Sequence, residues 1–237
     1  MALLRRHYRT HVLALAAADL VSLGSIFASL DRWSALAARS VASALWMAAE
    51  GLDVPSRLGR LGEPREPSGD TSLPLVVFGL GRLGLSEFDL ASDADLLFVA
   101  APATPRDQLA LWTRLAEKTI EILSSYTRDG TLFAIDTRLR PRGREGELVI
   151  TEDELLSYVT ESAQVWEGLT YLKVAPVAGD IGLGIGIASR LTVRLLERFA
   201  SHPDLEGELH RMRRRLEREV TVRPSNTKTA PGGYYDV

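Results

Sequence analysis

The chain contains no cysteine, which excludes disulfides and thiolate metal sites. Its four histidines are well scattered, so a zinc centre built on imidazole is not expected. No apolar run reaches the length of a membrane span, and no membrane partner is expected. Positive charge is not in excess: the net charge is −3, so no overall basic field draws nucleic acid. What remains is 237 residues with 46% hydrophobic content, enough for one sizeable core or two small ones.

Three stretches can be distinguished. Residues 1–70 read as a helical region and linker. Arg5-Arg6 before the apolar run Val12 to Ala18 has the look of a twin-arginine export signal. Asp19 interrupts that run, and Leu20, Leu23, Ile26, Phe27 and Leu30 continue at helical spacing, which favours an amphipathic helix. Two or more helices are expected before residue 53, with Asp31 capping the second, and a polar linker from Pro55 to Asp70.

Residues 71–150 read as the core. Pro105 opens a helix whose Trp112, Leu115, Ile120, Leu123 and Tyr126 suit packing on a sheet. Residues 151–237 turn helical again. Thr151 and Glu154 form a capping box, with Leu155, Leu156 and Val159 behind it. The glycines from Gly179 to Gly186 lack a preceding strand and a following Lys-Ser pair, so they read as a flexible connection rather than a phosphate loop. Leu191 to Ala200 and Leu205 to Val220 are expected helices. Arg211 and Arg213 to Arg215, interleaved with Glu206, Glu208, Glu217 and Glu219, read as a solvated ion-paired face.

The chemistry concentrates at Asp93 and Asp95, in Leu90-Ala91-Ser92-Asp93-Ala94-Asp95-Leu96-Leu97-Phe98-Val99. Residues two apart in a strand share a face, roughly 6.5–7 Å from each other. Two carboxylates so placed repel by roughly 2–2.5 kcal/mol at an effective dielectric near 20. A hard divalent cation relieves that repulsion, and oxygen ligands suit magnesium or manganese. The reading is a metal site for phosphoryl chemistry.

A second strand, Leu73 to Phe78, precedes Gly79-Leu80-Gly81-Arg82-Leu83-Gly84. The glycines match the dinucleotide fingerprint, but only Leu85 to Leu90 separate Gly84 from the next strand. That is too short for the crossover helix a Rossmann unit needs. The alternatives are a glycine loop whose amides approach nucleotide phosphates, or a tight turn needing glycine for its backbone angles alone.

A third carboxylate lies in Thr131-Leu132-Phe133-Ala134-Ile135-Asp136-Thr137-Arg138-Leu139-Arg140-Pro141. If the strand continues, Asp136, Arg138 and Arg140 share a face, placing a metal ligand or base beside cations that hold phosphate bidentately. The plainer reading is an ordinary salt bridge on a solvent-facing strand. Three carboxylates on two strands suit a two-metal mechanism.

At these residues the chain resembles the glutamine synthetase adenylyltransferase family of bacteria, also called glutamate–ammonia-ligase adenylyltransferase. The family stretch G-x-G-K-L-G-G-x-E-L-x-x-x-S-D-x-D-L stands here as Gly79 to Phe88 followed by Ser92 to Leu96. D-x-R-L-R-P stands as Asp136 to Pro141. W-E followed by K-A-R-x-V-A-G-D is matched by Trp166-Glu167 and Lys173 to Asp180, and a late glycine motif by Lys228 to Val237. Arg82 replaces the family lysine, Leu85 a glycine, Ala175 an arginine and Ala230 a glycine.

The resemblance implies an α+β fold: a polymerase-beta-like nucleotidyltransferase core flanked by helical regions, in a fragment holding one catalytic half of a longer protein. It implies ATP as substrate, Mg2+ or Mn2+ as cofactor, glutamine synthetase and a PII-type nitrogen signalling protein as partners, and a cytoplasmic setting. Asp93, Asp95 and Asp136 would be catalytic and metal-binding. Gly79, Gly81, Arg82, Ser92, Arg138 and Arg140 would bind nucleotide. The expected reaction moves AMP from ATP to a tyrosine of glutamine synthetase. The alternatives are the phosphorolytic removing half, a nucleotide-sensing domain without turnover, or transfer to a small-molecule hydroxyl.

Overall fold

Leu75 to Phe78 are apolar at every position, the pattern of a strand covered on both faces. In the computed structural model, which describes residues 1–21, 24–52, 54 and 74–220, they form β1 (Leu75–Gly79), buried throughout. It pairs antiparallel with β2 (Ala94–Ala100), Val77 opposite Phe98. The link holds one helical turn, α3 (Gly81–Gly84), so the antiparallel pair excludes a Rossmann crossover.

The outer edge of β2 carries two short parallel strands end to end. β3 (Ile135–Asp136) lies against Ala94 and Asp95, and β4 (Val149–Thr151) against Phe98 to Ala100. The other edge of β1 takes β5 (Ala175–Gly179), antiparallel. The sheet therefore draws a strand from the 151–237 stretch, beyond the expected core of 71–150.

Alternation along the strands divides the interior. Leu75, Val77, Leu96 and Phe98 face α1 (Ala2–Val21), α2 (Ile26–Gly51) and α4 (Arg106–Ser124). Val76, Phe78, Leu97 and Val99 face α5 (Glu152–Glu161), α6 (Val165–Tyr171) and α7 (Ile181–Phe199). A further helix, α8 (Leu205–Val220), follows. The expected α+β class, a mixed sheet flanked by helices, is the observed one.

Local signals hold in places and fail in others. The Thr151–Glu154 capping box is present, with Glu154 N–H donating to Thr151 Oγ1 at 3.2 Å. Asp31 caps nothing: it lies inside α2, whose N-cap is Ser25. Tyr126 is exposed beyond the end of α4, while Trp112, Leu115 and Leu123 are buried. Gly179 to Gly186 is not a flexible connection, because β5 precedes it and Asp180 Oδ1 accepts from Leu183 N–H at 2.9 Å to start α7. Arg5 is buried, donating to Ile122 O and Ser125 O at 3.1 and 2.9 Å, where α4 ends. That arginine answers the last carbonyls of a helix. No helix among the described residues is long and apolar enough to cross a membrane. The expected 55–70 linker and the Lys228 to Val237 motif lie outside the described residues.

Candidate functional site

Asp95 belongs to β2 on the same face as Leu97 and Val99, at the end where that apolar face runs out. Parallel register sets Asp136 directly beside it, while Ile135 packs toward the opposite core. Neighbouring strands lie about 4.8 Å apart, so the two carboxylates start from adjacent backbones on one face. Asp93 precedes the strand by one residue and is exposed.

Gly81 closes this site from above. Its φ of +53° is a conformation that favours glycine, and a Cβ there would stand 2.5 Å from Asp95 Oδ2. The absent side chain is what lets the turn approach the carboxylate. Leu80 N–H donates to Asp95 O at 2.9 Å, fixing the turn to β2. Gly84 has another reason: a Cβ there would lie 1.8 Å from Lys173 O. The glycine spacing thus serves two close backbone approaches, one at the acidic site and one just before β5.

The cations divide by task. Arg138 takes Asp136: its Nε donates at 3.0 and 2.7 Å to the two carboxylate oxygens, and its backbone N–H donates to Oδ1 at 2.8 Å. The Arg138 guanidinium holds the Asp136 carboxyl below the usual carboxylate range. In return Asp136 raises the Arg138 guanidinium, and the charges of Asp93 and Asp95 add to the effect. Arg138 is therefore within electrostatic reach of all three carboxylates.

Arg82 instead pairs with Asp89 at 2.7 Å, and Ser92 Oγ donates to Asp89 Oδ1 at 2.9 Å. Burial pushes the Asp89 carboxyl up, but the hydrogen bonds from Ser92 and Arg82 outweigh it and leave it below the ordinary value. Two expected nucleotide-binding residues thus converge on a residue that sequence reasoning passed over. An Asp whose Oδ1 accepts from the N–H two residues on, here Ala91 at 3.0 Å, is a local turn signal that was available.

Arg140 does not continue the Asp136–Arg138 face, because β3 ends at Asp136 and the chain turns. Its guanidinium donates to Thr137 O at 2.8 Å, Gly146 O at 2.9 Å and Arg144 O at 3.0 Å. It ties the 137–146 loop to itself.

One tyrosine braces the same loop, and a second ties α5 to α6 beside it. Tyr171, buried in the core, donates to Leu139 O at 3.0 Å, and burial pushes its phenol far up. Tyr158 donates to Glu167 Oε1 at 2.5 Å, and Glu167 Oε2 accepts from Gln164 N–H at 2.9 Å. Tyr171→Phe should cost about 1–2 kcal/mol in urea unfolding, since it leaves Leu139 O without its donor. Amide exchange across 137–146 should quicken in the same variant.

The donors are hard oxygens that suit Mg2+ or Mn2+. Yet among the described residues no three His, Asp or Glu side chains stand grouped to hold a metal ion. Both oxygens of Asp136 accept from Arg138. A separate cleft of about 320 Å³, lined by Arg142, Glu147, Asp153, Tyr158 and Glu161 among others, includes none of the three aspartates.

Residues 1–189 match the family model of glutamate-ammonia ligase adenylyltransferase. The chain is similar to proteins named bifunctional glutamine synthetase adenylyltransferase/adenylyl-removing enzyme. It is 31% identical to that of Streptomyces avermitilis over 99% of this chain and 22% of the relative. It is 34% identical to that of Mycobacterium tuberculosis over 99% and 22%, and 34% identical to that of Chromobacterium violaceum over 99% and 24%. The chain spans less than a quarter of the length of these relatives.

Proposed function

As the chain belongs to the glutamate-ammonia ligase adenylyltransferase family, a family of AMP-transferring enzymes, we propose that its β2–β3 edge moves AMP from ATP to a tyrosine hydroxyl of glutamine synthetase. The observation that carries this reading is the register of Asp95 against Asp136, with Gly81 lacking a side chain over the pair. Asp93 and Asp95 would hold Mg2+ or Mn2+, and Asp136 would complete the set once Arg138 leaves it. The cation, when bound, would lower the pKa of the attacking hydroxyl and offset the charge of the phosphates.

The chain's own residues do the rest. The turn from Gly79 to Gly81 sets backbone beside the carboxylates, where phosphates approach. Arg138 would take phosphate oxygens. Asp136 would accept the proton from a tyrosine hydroxyl whose free pKa, about 10, makes it a poor nucleophile at neutral pH. Arg82 and Ser92 act through Asp89, shaping the turn rather than touching nucleotide.

Glutamine synthetase as acceptor, a PII-type regulator and a cytoplasmic setting belong to this proposal. The relatives' name covers both directions, so phosphorolytic removal at the same site is the second reading. Leu85, half exposed just after α3, and Ala175 at the start of β5 are the departures that motivate a sensor without turnover. The test incubates the chain with glutamine synthetase in modified and unmodified forms, supplying ATP or orthophosphate, and follows intact mass. Gain of AMP with ATP is the expected result, and loss of AMP with orthophosphate identifies the removing half. Nucleotide binding without either change identifies a sensor.

A further inference from the structure

We infer that Arg138 is an exchangeable internal cation: it closes over Asp136 when nucleotide is absent and passes to phosphate oxygens as a divalent ion takes its place. The inference rests on the proposed function, and concerns how that site is loaded.

The pair is asymmetric. The Asp136 side chain is 13% exposed and the Arg138 side chain 59%. The carboxylate is seated, and the guanidinium reaches it from solvent. The guanidinium keeps much of its surface in water, so passing to another anion does not require a buried cation to be re-exposed. The backbone beneath is held independently, by Tyr171 on Leu139 O and by Arg140 on Thr137 O, Gly146 O and Arg144 O. Only the Arg138 side chain needs to move.

The carboxylate also keeps its aim after release. The Arg138 backbone N–H donates to Asp136 Oδ1 at 2.8 Å, a contact that does not depend on the guanidinium. Departure therefore uncovers oxygens already oriented. Charge supplies the reason to exchange. One guanidinium faces three carboxylates, Asp93, Asp95 and Asp136, whereas a divalent ion neutralises two of them. The fork that fits a carboxylate bidentately fits a phosphate equally well. Arg82 and Arg140, the other two cations expected to support phosphates, are engaged with Asp89 and with loop carbonyls.

The experiment measures Mn2+ binding to the whole chain by calorimetry, with and without a non-hydrolysable ATP analogue, for wild type, Arg138→Gln and Arg138→Lys. Without nucleotide, Arg138→Gln should bind Mn2+ about tenfold more tightly than wild type, because the competing cation is gone. With Mn2+ present, the same variant should bind the analogue about tenfold more weakly, and Arg138→Lys should recover part of that loss. Unchanged or weaker Mn2+ affinity in Arg138→Gln, when wild type binds Mn2+ with the analogue, overturns the exchange and leaves the proposed function standing. Absence of Mn2+ and nucleotide binding in every protein overturns both. Thermal unfolding of each variant confirms that the exposed substitution leaves the fold intact.

Discussion

On the proposed function, Asp93→Asn and Asp95→Asn should each lower AMP transfer about a thousandfold, near 4 kcal/mol of transition-state stabilisation, without unfolding the chain. Both side chains lie where β2 emerges from its apolar face, so neither carries the core. The amide keeps the carboxylate's shape but not its charge, and the repulsion between the two positions falls. Thermal midpoints should therefore stay level or rise while turnover collapses. Steady-state transfer across a Mg2+ titration checks this. Wild-type turnover at ordinary metal concentration in both variants would remove these residues from the mechanism.

The largest loss of stability is expected from Gly84→Ala. A Cβ at Gly84 would stand 1.8 Å from Lys173 O and 2.8 Å from Gly79 O, both main-chain atoms that no rotamer change relieves. The α3 turn must then move away from the segment entering β5. A cost of about 3 kcal/mol is reasonable for such overpacking against backbone. For a chain of this size, that lowers the thermal midpoint by roughly 6–12 °C. Gly51→Ala is the control, because a Cβ at Gly51 meets nothing within 4 Å. Its midpoint should move little. Equal melting of the two variants would mean that the close approach at Gly84 yields more easily than its distances imply.

The absence of a Rossmann crossover after β1 was legible because chain length leaves few choices. Six residues after Gly84 cannot cross a sheet, whereas the antiparallel return and the helical turn of α3 came from the structure. Strand periodicity led to the expectation that Asp93 and Asp95 share a face, but only Asp95 lies within β2, while the alternation of Phe133 and Ile135 pointed to Asp136, which stands beside Asp95. What could not be read was where β3 stops. It ends after two residues, and Arg142 and Gly143 take positive φ of 63° and 60° in the loop beyond. Arg138 and Arg140 both lie beyond β3, so period two does not carry past Asp136.

β5 escaped notice for compositional reasons. Ala175-Pro176-Val177-Ala178-Gly179 holds a single strong strand former, and proline argues against an interior strand. The segment pairs on one side only, where proline is tolerated, and its register slips against Val77 and Phe78. The convergence of Arg82 and Ser92 on Asp89 was hidden because their contacts depend on a turn the residue pattern does not announce.

The late arrival of β5 in the chain also governs how the molecule could be shortened. A truncated version stopping at residue 150 would leave Leu75–Gly79 with a bare flank of unsatisfied amides and carbonyls, on the most greasy strand of the sheet. Such a piece would recruit copies of itself, and cutting between 150 and 175 would yield clumps rather than a smaller folded unit.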